Sequence, residues 1–84
     1  MIRITTERKE KGTVVIIDGR LTDSDLREVQ RVRKSVIGTV FLNLRGLEDC
    51  TAGGVRVLQE WLDAGARLQE ANPFLQMILK DSPP

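Results

Sequence analysis

Histidine and tyrosine are absent from this chain, and Cys50 is its only cysteine. Without histidine, neither a Ser-His-Asp nor a Cys-His triad can be assembled within it. A lone cysteine excludes an internal disulfide, and the two shortages together exclude a Cys/His zinc site. No cofactor and no enzyme activity are therefore expected. Aromatic residues are scarce, at one tryptophan and two phenylalanines, too few to interleave with basic residues as base-stacking platforms. Neither sign of charge dominates: 13 basic and 12 acidic residues leave a net charge of +1, which argues against nucleic acid as the partner. No apolar run approaches the roughly 20 residues of a membrane span. The opening segment, MIRITTERKEKG, is charged and alternating, with no apolar signal-peptide core. A reduced cytoplasm is the expected compartment.

What is present reads as one small α/β domain over residues 1–84, with 81–84 as a frayed tail. A chain this short buries roughly 60% of the surface exposed by its unfolded form, so its stability margin is thin. Ile2 and Ile4 alternate with Arg3 and Thr5 as an edge strand, and Lys9-Glu10-Lys11-Gly12 makes a polar turn. The run from Thr13 to Asp18 is apolar on both faces, the pattern of a central strand. Thr22 or Ser24 can cap a helix from about Asp25 to Ser35, with Leu26, Val29 and Val32 inward. Val40, Leu42 and Leu44 alternate as the next strand, and Val55, Leu58 and Leu62 recur at helical spacing. Gly65 stops that helix, 66–71 is a strand by position, and Asn72-Pro73 starts a last helix. In that helix Phe74, Met77 and Ile78 share a face, with Leu75 and Leu79 beside it. The order β-β-α-β-α-β-α predicts three helices packed against a mixed sheet of four to five strands.

The junction between the Val40–Leu44 strand and the second helix, from Glu48 through Asp49, Cys50, Thr51, Ala52 and Gly53 to Gly54, is where backbone amides would face a ligand or partner. Thr51 to Gly54 can be read as an anion-binding turn or as a helix cap with close-packing glycines. No P-loop lysine follows. Cys50 can be a redox-sensing thiol or a small buried apolar residue. Arg27, Arg31 and Lys34 form a basic stripe or simply a solvated helix face, diluted by Asp23, Asp25 and Glu28. Val57 and Trp61 widen the apolar arc of the second helix to roughly 160° on a helical wheel. That arc either presents Val57 and Trp61 to a partner or lies under the last helix, with Phe74 covering Trp61.

Several segments together resemble the STAS domain, the fold of bacterial anti-sigma factor antagonists and of sulfate-transporter tails. Gly19-Arg20-Leu21 is similar to the family's G-x-L before helix one. Leu42-Asn43-Leu44-Arg45-Gly46-Leu47 is similar to its L-D-L-S-G-V strand. Gly65-Ala66-Arg67-Leu68 and Asn72-Pro73-Phe74 resemble the G-x-x-L before the fourth strand and the entry to the last helix. The resemblance covers almost the whole chain. Members that switch by phosphorylation carry Asp-Ser-Ser-Gly or Asp-Thr-Ser-Gly where the ungapped alignment here places Thr51-Ala52-Gly53-Gly54. Ala52 therefore occupies the phosphosite and cannot accept a phosphate, while a one-residue slip would bring Thr51 there instead. A phosphate at this position would add about two negative charges at a helix N-terminus.

The resemblance implies a non-catalytic protein–protein interaction domain in bacterial signalling regulation, not gated by phosphorylation at the usual position. Its partner would be an anti-sigma factor-like kinase or another signalling protein, met through Cys50 to Gly54 and the second helix. There the apolar arc separately offers Val57 and Trp61 as partner-binding residues. Two alternatives follow from other classes: a STAS subunit docking on the ATPase of a lipid-transporting ABC system, and a small-ligand or nucleotide binder at the Thr51–Gly54 turn. A homodimer is left open.

Overall fold

In a computed structural model that describes residues 2–80, the chain forms a mixed five-stranded sheet with three helices, the expected class and layering. The strands are β1 (Ile2–Lys9), β2 (Gly12–Leu21), β3 (Val40–Leu44), β4 (Leu47–Cys50) and β5 (Arg67–Ala71), and the helices are α1 (Leu26–Ser35), α2 (Ala52–Asp63) and α3 (Pro73–Lys80). The expected tail, 81–84, lies outside the described residues.

The β-branched run Thr13-Val14-Val15-Ile16-Ile17 makes β2 the centre of the sheet. β1 pairs with it antiparallel along its whole length, from Ile2 opposite Gly19 to Lys9 opposite Gly12. On its other edge two parallel strands follow one another. β3 takes the first half, from Thr13 opposite Val40 to Ile16 opposite Asn43, and β4 the second, from Gly19 opposite Leu47 to Leu21 opposite Cys50. β5 lies parallel outside β3. The segment around Glu48 and Asp49, read from sequence as part of a polar loop, is thus the short strand β4. Its charged side chains hide a pairing that only the free second half of β2 makes available.

A single core joins Val15, Ile17 and Leu21 of β2 and Leu42, Leu44 and Leu47 of the parallel strands to Val29 of α1, Val57, Leu58 and Trp61 of α2, and Leu75 and Leu79 of α3. All three helices therefore cover one face of the sheet. Val14, Ile16 and Phe41 alternate to the other face.

Each helix has an identifiable start. Before α1, a 3-10 turn at Asp23–Asp25 is closed by Asp25, whose Oδ2 accepts from the Thr22 backbone N–H and hydroxyl at 3.0 Å each. Those bonds, the backbone one foremost, hold the Asp25 carboxyl below its ordinary range. Arg27, Arg31 and Lys34 are exposed, and Arg31 pairs with Glu28 at 2.8 Å, so this stripe is a solvated helix face. α2 ends at Gly65, whose φ of +110° suits glycine. Asn72 starts α3: its Oδ1 accepts from the Leu75 N–H at 2.8 Å, and its Nδ2 donates to the Leu47 carbonyl at 3.1 Å, tying α3 to β4.

α3 buries Leu75 and Leu79, while Phe74 and Met77, grouped together on the sequence pattern, stand exposed. This contrast sets an expected outcome for urea unfolding. Leu58→Ala should lose about 3 kcal/mol of stability by opening a core cavity, whereas Phe74→Ala should stay within about 0.5 kcal/mol of the parent.

Candidate functional site

The loop singled out from sequence sits at the carboxyl ends of β2 and β4, where the chain turns into α2. Its backbone is tied back to the central strand, because the Thr51 N–H donates to the Leu21 carbonyl at 3.0 Å. Thr51 takes the extended conformation of an N-cap, with φ −70° and ψ 165°. Its hydroxyl works in both directions, accepting from the Gly54 N–H at 3.2 Å and donating to Asp23 Oδ1 at 2.8 Å.

That second bond brings in Asp23, which the sequence marks only as one of the acidic residues around the first helix. Asp23 is 28 positions from Thr51, and only the crossing of the 3-10 turn over the start of α2 joins them. The same carboxylate crowds Gly53: a Cβ added there would stand 2.8 Å from Asp23 Oδ1. A negative group thus already faces the positive end of α2, the position an anionic ligand would otherwise occupy. Electrostatically the turn is a completed cap.

The two glycines have steric reasons for their presence. Gly54 is buried against β2 and β4, and a Cβ there would stand 2.7 Å from Cys50 Sγ and 3.0 Å from Leu21 Cδ2. Cys50 itself is half-buried. Burial, and after it the charge of Asp49, pushes its thiol up to about 11. At neutral pH the sulfur is a protonated packing atom rather than a thiolate. Ala52 is exposed on the first turn of α2, as are Glu48 and Asp49 on β4. Glu48 and Asp49 are successive strand residues and so point to opposite faces. Among the described residues there is no group of three or more histidine, cysteine, aspartate or glutamate side chains able to hold a metal.

Val57 and Trp61 do not belong to this surface. They are 6% and 2% exposed, and Phe74, the residue considered as a cover for Trp61, is itself 65% exposed. Gly54, Val57, Leu58 and Trp61 are the buried residues of α2, an i, i+3, i+4, i+7 stripe. Val55 and Leu62, taken from sequence as the core stripe, are only half-buried beside it. The offset arises at Gly54. A glycine carries no hydrophobic signal, yet here it is the point of closest approach, and it turns the helix so that the tryptophan faces inward.

Forcing a methyl into that approach should be costly. Gly54→Ala is expected to destabilise the fold by about 1–3 kcal/mol. Adding Cys50→Ala should restore part of the loss, a coupling of about 0.5–3 kcal/mol in a double-mutant cycle read by urea unfolding. Additive effects would mean that the sulfur is not what Gly54 packs against.

Comparison with protein-family models, with curated proteins and with solved structures finds no match to this chain.

Proposed function

We propose that this is a non-catalytic, STAS-like protein-interaction domain whose docking surface is centred on Thr51, Ala52 and Gly53, and whose binding is not gated by phosphorylation. The observation that carries the reading is the exposure of Ala52 on the first turn of α2. This is the position at which phosphorylated STAS domains bear their hydroxyl, and here it bears a methyl group. A partner would meet Ala52 with Arg56 one turn further along and Asp49 beside the cap, all of them exposed. Cys50 and Gly54 support this surface from beneath.

The alternative phosphoacceptor, Thr51, is a poor substrate on physical grounds. Phosphorylation would remove its hydroxyl donor from Asp23 and put about two negative charges against that carboxylate. The same carboxylate disfavours the reading of the turn as a nucleotide or phosphate site. The resemblance supports a bacterial cytoplasmic signalling role with an anti-sigma factor-like kinase as partner, and the ATPase of a lipid-transporting ABC system is the competing partner class.

Affinity purification from the native host discriminates these readings. Ala52→Arg keeps the fold, because the side chain is exposed, and should reduce recovery of the partner at least tenfold by creating a clash within the interface, an effect on the order of 1.4 kcal/mol. A kinase-fold protein among the lost partners supports the signalling role, and an ABC ATPase supports the transport role. Recovery unchanged by Ala52→Arg would remove the loop from the mechanism. Transfer of phosphate to Thr51 by the partner would contradict constitutive binding.

A further inference from the structure

Among the described residues no strand pairs with the outer edge of β1: the sheet runs β1-β2-β3-β5, with β4 on β2. Such an edge offers a row of unpaired backbone groups, which folded chains blunt with short length, bulges, proline or charge. β5, at the other edge, is blunted, with five residues and a register shift opposite Leu42 and Asn43. β1 is not. It spans eight residues, contains no proline and holds its register with β2 without a shift. Six of those residues are exposed, so the strand lies open to solvent. Charge is its remaining guard, and here it takes both signs: Arg3, Arg8 and Lys9 against Glu7.

The phase of the backbone on this edge follows from the bonds of β2. The Thr13 N–H donates to the Thr39 carbonyl at 2.8 Å and the Gly19 N–H to the Gly46 carbonyl at 2.9 Å, both away from β1. Their partners on β1, Arg8 and Ile2, therefore sit in non-hydrogen-bonded pairs, and antiparallel alternation adds Ile4 and Thr6. The N–H and C=O groups of Ile2, Ile4, Thr6 and Arg8 thus point outward along the free edge. Side chains alternate with the same period. Ile2 and Ile4 pack against the core, which puts Arg3, Thr5 and Glu7 on the sheet face that no helix covers.

We propose that this edge pairs antiparallel with the same edge of a second copy of the chain, about a two-fold axis at Thr5. In that register Ile4 lies opposite Thr6 of the second copy and Ile2 opposite Arg8, so outward groups meet outward groups. The four facing pairs close about eight main-chain hydrogen bonds, two for each pair. Arg3 lies opposite Glu7, twice over by symmetry, in the pairs whose side chains stand closer together. Thr5 faces its own copy. Within one chain, Arg3 has no ion-pair partner among the described residues, and Glu7 has Lys9 at 3.3 Å. A shift of two residues sets Arg3 against Lys9 or against Thr5 and loses the match. A shift of one sets outward groups against inward ones. The charges on β1 thus select one register, and the two-fold pair closes on itself. β4, which leads into the Cys50–Gly54 loop, pairs on the opposite edge of β2. The association is therefore separate from the docking surface proposed above and stands without it.

Sedimentation equilibrium of the whole chain, 9.4 kDa as a monomer, tests this between about 10 µM and about 1 mM. The expected outcome is a monomer–dimer equilibrium with a dissociation constant on the order of 100 µM, as suits a narrow interface. Arg3→Glu or Glu7→Arg alone turns both facing pairs into like charges and should weaken the dimer at least about tenfold. The double variant Arg3→Glu/Glu7→Arg restores opposite charges and should recover association to within about threefold of the parent. Thr6→Pro removes an outward N–H that β2 does not use, at an edge position that accepts proline. It should abolish association while circular dichroism shows the parent fold. If that variant does not fold, the charge exchange decides. A chain that stays monomeric at about 1 mM, or a dimer that survives in folded Thr6→Pro, would overturn the proposal. So would a dimer indifferent to the single charge reversals, or a double variant no tighter than either single one.

Discussion

Three strands pair with β2, and the rest of the structure depends on that. Its apolar residues serve both sheet faces, with Val15, Ile17 and Leu21 under the helices and Val14 and Ile16 on the opposite side. β1 protects one of its edges from Gly12 to Gly19, while β3 and β4 divide the other. The division occurs at Arg45 and Gly46, where the Gly46 carbonyl accepts from the Gly19 N–H at 2.9 Å and the glycine lies against the Asp18 carboxylate, leaving no room for a side chain. Because β4 resumes pairing beyond this turn, Cys50 ends level with Leu21. The start of α2 is thereby pressed onto the end of the central strand.

From that placement the character of the loop follows. Once Leu21 and Cys50 form its floor, the first buried position of α2 has room only for hydrogen, and Gly54 occupies it. The residue after β2 must turn back over the same helix end, which brings Asp23 to Thr51 and Gly53. The Thr51 hydroxyl then caps the Gly54 N–H, and the Asp23 carboxylate, accepting from that hydroxyl, brings a negative charge to the helix end. What remains outward on the first turn is the Ala52 methyl, with the charged side chains of Asp49 and Arg56 exposed on either side of it. Among the described residues, the buried side-chain donor without a partner is the Trp61 indole N–H, on the second half of α2 and away from this turn.

Much of this was legible in the residues themselves. The two-sided apolar run of Thr13 to Asp18 marked the central strand, and the alternation of Val40, Leu42 and Leu44 marked β3. Asn72-Pro73 announced α3, and Gly65 the end of α2. The loop from Cys50 to Gly54 stood out because it joins a strand pattern to a helix pattern. Less legible were features set by packing. β4 carries adjacent acidic residues and borrows its order from the free half of β2. Val57 and Trp61 looked like an extra apolar margin because the stripe that contains them begins with a glycine, which has no hydrophobicity to report. Leu75 and Leu79, rather than Phe74 and Met77, face the core, a choice between two neighbouring stripes that hydropathy cannot make. The Asp23–Thr51 bond spans a crossover, and no local pattern foretells it.

At the turn into α2, the Thr51 hydroxyl and the Asp23 carboxylate already occupy the helix end. Titration of the ¹⁵N-labelled protein with inorganic phosphate, following the backbone amides of Ala52, Gly53 and Gly54, tests this most directly. With the Asp23 carboxylate and the Thr51 hydroxyl already at the helix end, those three amides should show no saturable shift at neutral pH and moderate salt. A saturable shift centred on them would mean that the site still receives an anion, and would contradict a completed cap.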